Sequence, residues 1–91
     1  MNIEFDPQKS ERNVRERGLS FDRARDFEFE TAVFLIDDRK EYSEVRTRAF
    51  GMLDGRLHAL VFVETRSGIR VISLRKANAR EIRRYEQEAD S

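Results

Sequence analysis

Three β-rich segments with apolar residues at strand spacing fill the middle of the chain: Glu44 to Leu53, Arg56 to Thr65, and Ile69 to Arg75. Apolar positions recurring with period two mark strands that bury one face. Asp54-Gly55 and Ser67-Gly68 separate them, and Asp-Gly between such segments is a strong hairpin signal. The three segments read as an antiparallel meander.

A two-residue loop at Asp54-Gly55 opposes Phe50 to Ala59, Arg48 to Val61, Arg46 to Val63 and Gly51 to His58. With the parity carried through Ser67-Gly68, Arg46, Arg48, Arg70, Ile72 and Leu74 share one face. His58, Glu64, Val71, Ser73 and Arg75 share the other. In a regular strand Arg70 and Arg75 therefore point to opposite faces. A single bulge would invert part of this assignment.

Upstream, Asn2 to Phe5 reads as a short first strand. Asp6-Pro7 is a helix start, with an N-cap carboxylate and a proline whose missing N–H costs nothing there. That helix should run to about Arg17 and stop at Gly18. Ser20 can cap a second helix with Phe21, Ala24 and Phe27 along one face. Thr31 to Ile36 reads as a strand ending at an Asp37-Asp38 turn, followed by a polar loop from Arg39 to Glu44. Asn78 with Glu81 three residues on is a capping box for a last helix, whose narrow apolar stripe is Ile82, Tyr85 and Ala89. The expected fold class is α+β: a small antiparallel sheet with two N-terminal helices and one C-terminal helix.

Composition narrows the function. Ninety-one residues suit a single domain, 1–91. The chain has no Cys and one His, so disulfides, thiolate metal sites and multi-histidine sites are not expected, and neither metal nor cofactor is called for. Met1 leads into a segment with neither the basic start nor the apolar core of a signal peptide, and no apolar run is long enough to span a bilayer. A cytoplasmic protein is expected. The net charge is zero, yet residues 1–45 hold 8 basic and 12 acidic side chains, while residues 46–80 hold 8 basic and 2 acidic. A polyanion would feel that local field.

Arginines clustered on a sheet face suit a phosphate, because the guanidinium is always charged and its donor fork matches phosphate oxygens. In RNA cleavage by the 2′-hydroxyl, charge grows on the phosphoryl oxygens, and fixed cations stabilise it. His58, Glu64 or Tyr85 would handle protons. Each residue also has a plainer reading: solvated arginines, a packed histidine, a surface carboxylate, a core tyrosine. Arg80, Arg83 and Arg84 belong to the last helix and face solvent or a partner.

The segments FDPQKSERNVRERGLSFDRA, EYSEVRTRAFG, DGRLHALVFVE and RVISLRKANAREIRRYEQ resemble the BrnT family of bacterial toxins, in order and over nearly the whole chain. The most specific piece is Arg70-x-Ile72-Ser73-x-Arg75-x-Ala77 followed by Glu81 and Tyr85. The resemblance implies a RelE-like fold and a ribonuclease toxin that arrests translation. It also implies neutralisation by a BrnA-type antitoxin with a DNA-binding domain, so that DNA is met only through the antitoxin, with dimerisation within the complex. The family often reads Lys-His-Gly where this chain has Glu16-Arg17-Gly18. An arginine can hold phosphate there but cannot readily exchange a proton.

The expected activity is metal-independent RNA cleavage by Arg46, Arg70 and Arg75, with His58 or Glu64 moving protons. The alternative is a catalytically degenerate module kept for its complex with a DNA-binding antitoxin.

Overall fold

In the computed structural model, which describes residues 1–37 and 43–89, the chain runs β1 (Asn2–Glu4), α1 (Pro7–Arg17), a 3-10 helix (Phe21–Asp26), β2 (Val33–Asp37), β3 (Arg46–Leu53), β4 (Arg56–Glu64), β5 (Gly68–Lys76) and α2 (Ala79–Ala89). The strands form one sheet in the order β1-β5-β4-β3-β2. The fold class is α+β. Asp38 and the Arg39–Tyr42 part of the expected polar loop lie outside the described residues.

The termini of α1 follow from their chemistry. The Asp6 carboxylate accepts from the Gln8 N–H at 2.9 Å, Pro7 opens the helix, and Gly18 ends it at φ 69. Ser10, the buried residue of this mostly exposed helix, accepts from the Phe21 N–H at 3.0 Å. Asn13 donates to Leu19 O and Leu74 O, at 2.8 and 2.9 Å, and ties the helix to β5.

Two expectations are corrected. The second helix is a six-residue 3-10 helix, capped by Ser20 through the Asp22 N–H. Phe21 and Ala24, three residues apart, fall in one row at three residues per turn, and Phe27 follows as an extended C-cap. All three are buried. The sheet, moreover, is mixed rather than wholly antiparallel: β1 pairs parallel to β5, with Ile3 opposite Ile69. A three-residue strand carrying one buried side chain gives no sequence signal of its partner or direction.

The meander has the expected register. Asp54 and Gly55 both have positive φ, 55 and 73, and Leu53 opposes Arg56 across that two-residue turn. Such a turn matches the twist of the flanking strands. The core lies on one face of the sheet, where Ala49, Leu60, Phe62, Ile69, Val71 and Leu74 meet Phe21, Ala24 and Phe27. The face that carries the arginines looks the other way.

Candidate functional site

The β4–β5 ladder contains the irregularity that builds the site. Val63 opposes Arg70 and Phe62 opposes Val71, but Val61 opposes Ser73, leaving Ile72 as an extra residue. A bulge of this kind shifts every following side chain by one position. Leu74 therefore turns into the core, opposite Leu60, while Arg75 emerges opposite Ala59. Ala59 and Val61 in turn oppose Phe50 and Arg48. The sequence-based assignment is thus reversed for Ser73, Leu74 and Arg75. Arg46, Arg48, Arg70 and Arg75 all project from the face opposite the core.

Glu44 and Glu81 each bond one of these cations, and Asp37 lies opposite Arg46. Arg70 donates to Glu44 Oε2 at 2.6 Å. That hydrogen bond holds the Glu44 carboxyl below its usual range, with Arg70 and Arg46 adding charge attraction. Arg75 donates to both oxygens of Glu81, at 2.8 and 2.9 Å, in the fork geometry guanidinium shares with phosphate. This bond is the main reason the Glu81 carboxyl falls to about 2, helped by the Asn78 N–H and the charges of Arg75 and Arg48. Glu44 and Glu81 are thus each in the field of two arginines and form two units of the face. Between Arg70 and Arg75 lie about 15 Å of strand, so each unit is suited to its own anion.

Glu81 has a double duty. Its Oε1 accepts from the Asn78 N–H at 2.9 Å, while the Asn78 side chain accepts from the Glu81 N–H at 2.9 Å. The capping box that starts α2 thereby aims a carboxylate at Arg75. This coupling gives a pH prediction. The Glu81 carboxyl is depressed in the folded state, so its stabilisation is complete above about 4.5 and is lost as pH falls toward about 2. Urea unfolding should show a loss of roughly 1–2 kcal/mol across that window for this pair. Glu81→Gln should be less stable than the parent at pH 6, and the gap should close at low pH. A gap independent of pH would mean that the pair is not formed.

The other candidates lie elsewhere. His58 is 4% exposed, on the core side of β4 opposite Gly51. Its Nδ1 lies 2.8 Å from Arg56 O, which can only accept, so this nitrogen carries a proton. Glu64 opposes Ile69, on the same side as His58 and at the exposed end of β4. Neither is brought to the arginines. Tyr85 donates to Thr31 O at 3.0 Å. Arg17 is exposed at the end of α1.

Sequence reasoning passed over Arg48, Glu44 and Glu81 as site residues. Arg48 had a signal, since it alternates with Arg46 on β3. Glu81 read only as a cap. Among the described residues no helix is long and apolar enough to cross a membrane, and no three His, Cys, Asp or Glu side chains are grouped to hold a metal. The family described as "Ribonuclease toxin, BrnT, of type II toxin-antitoxin system" has a sequence model that matches residues 5–81. No curated protein and no solved structure matches the chain.

Proposed function

The chain belongs to the BrnT ribonuclease toxins of type II toxin–antitoxin systems, and from this we propose that its arginine face binds RNA and cleaves it through the 2′-hydroxyl without a metal ion. The observation that carries the reading is the bulge at Ile72, which brings Arg75 to the face that Arg70 shares with Arg46 and Arg48. In this reading Arg75 and Arg48 hold the scissile phosphate, and Arg70 and Arg46 hold another farther along the RNA. Phosphate replaces the carboxylates on the guanidinium forks.

The 2′-oxygen then bonds to phosphorus as the bond to O5′ breaks. The products are a 2′,3′-cyclic phosphate and a 5′-hydroxyl, whose oxygen takes its proton from water. The guanidinium groups stabilise the charge that grows on the phosphoryl oxygens. Once Arg75 turns to phosphate, Glu81 loses the bond that depresses its carboxyl, and its basicity rises toward the ordinary range. Glu81 is then placed to take the 2′-hydroxyl proton, a role His58 and Glu64 would have to fill from across the sheet.

The same proposal includes a RelE-like fold, a cytoplasmic setting, arrest of translation, and a BrnA-type antitoxin that joins the toxin to DNA. The test is incubation of purified protein with RNA in EDTA. Cleavage that leaves 2′,3′-cyclic phosphate ends is expected. Products with 5′-phosphates would contradict the mechanism. Intact RNA, with and without ribosomes, would favour the second reading, a non-enzymatic module whose arginines are already closed by Glu44 and Glu81.

A further inference from the structure

Beside the Arg48–Arg75 unit, a groove of about 390 Å³ runs between α2 and the β2–β3 edge of the arginine face. That volume is in the range of small-ligand sites. Its floor is made of two opposed pairs, Val33 with Phe50 and Leu35 with Arg48. Its wall is one stripe of α2: Glu81, Arg84, Tyr85 and Glu88, spaced as residues sharing a helix face are.

The chemistry of this groove is unusual for a chain in which 40% of residues are charged. Leu35 is 42% exposed, and Phe50 is half-buried, with no side chain of α2 buried over them. Tyr85 is pinned by its tip through the hydroxyl bond to Thr31 O, which fixes its ring at the wall. Arg48, Arg80 and Arg84 line the same space, against Glu81 and Glu88. With Arg75 beside them, four guanidinium groups face these two carboxylates. An apolar, aromatic floor with an excess of guanidinium groups fits a flat ring that carries a negative charge beside it.

We infer that this groove is a nucleobase subsite, holding the base next to the phosphate bound by Arg48 and Arg75 and setting base preference at the cleavage point. The inference rests on the reading of the arginine face as the RNA site. Aromatic rings hold bases by stacking, and arginine adds attraction to the ring face and to the adjoining phosphate. Selection among bases follows from the polar edge of the groove, where the Asn78 side chain offers its amide for hydrogen bonding to a base edge.

The test uses the four ribonucleoside 5′-monophosphates and inorganic phosphate, titrated into the full chain and followed by NMR at the Phe50 and Tyr85 rings and the Leu35 methyls. Mononucleotides should shift these signals and bind more tightly than inorganic phosphate, with one base preferred. Phe50→Ala should weaken the preferred mononucleotide about tenfold, while inorganic phosphate binds as before. Leu35→Asn, at an exposed edge position, gives the same comparison if Phe50→Ala does not fold. Mononucleotides that bind no better than phosphate, or that leave the groove signals in place, overturn the subsite. Cleavage is scored separately. Base binding in the groove by a protein that leaves RNA intact sustains the subsite and sinks the nuclease reading. Cleavage with no groove shifts and no base preference does the reverse.

Discussion

Arg75→Ala is expected to slow RNA cleavage by about 10²–10³-fold in single-turnover assays, the loss that follows removal of one fixed donor from a developing oxyanion. Arg75 is the residue that the bulge redirects. It emerges opposite Ala59 and forms a two-bond fork with Glu81. Arg75→Lys keeps a charge but not the fork, so it should recover only part of the rate. Arg75→Ala also strands the Glu81 carboxylate, which is mostly buried, and stability falls for that reason. The double variant Arg75→Ala/Glu81→Gln reads the stability effect alone, because it also removes the proposed base. It should regain stability without regaining cleavage. Recovery of both would make Arg75 and Glu81 structural residues. Arg70→Ala, acting on the more distant phosphate, should raise KM more than it lowers kcat.

Gly68→Ala should be the most destabilising exchange of a glycine for alanine in this fold, at about 3 kcal/mol. A Cβ at Gly68 would collide with the backbone of Asn2, its partner in the parallel β1–β5 pairing. Backbone on both sides leaves nothing flexible to move aside. The Asn2 N–H to Ser67 O bond, 3.1 Å, would also be strained. β1 must then shift and uncover Ile3. For a domain of this size the melting temperature should fall by roughly 15 °C. Gly55→Ala is the control: its φ of 73 makes alanine unfavourable, but nothing lies within 4 Å of the new methyl. Its cost should be about 1 kcal/mol. An unchanged melting temperature for Gly68→Ala would mean that β1 is not seated against β5.

Much of this architecture is legible in the residues because local chemistry decides it. Asp6-Pro7 and Gly18 bound α1, Asp54-Gly55 sets the β3–β4 register, and Asn78 with Glu81 starts α2. The features that escaped are those decided between elements. Arg-Val-Ile-Ser-Leu-Arg supports several registers, since Ile72 or Leu74 could each fill a core position. Only the fit of Leu74 against Leu60 places the extra residue at Ile72. Parallel pairing of β1 depends on a glycine 66 residues away. The carboxylates of the site were hidden by other roles, Glu81 as a cap and Glu44 as part of a polar segment. The shared face of Arg46, Arg48 and Arg70 could be read in the sequence; that Arg75 joins them could not.

The account stands on that face being where RNA binds. An oligoribonucleotide with 2′-O-methyl groups cannot attack its own phosphate, so its complex can be mapped by NMR at equilibrium. The expected result is that side-chain signals of Arg46, Arg48, Arg70 and Arg75 shift on titration, while His58 and the core-side residues of β4 do not. Shifts confined to α1 or to the His58 side of the sheet would contradict the account.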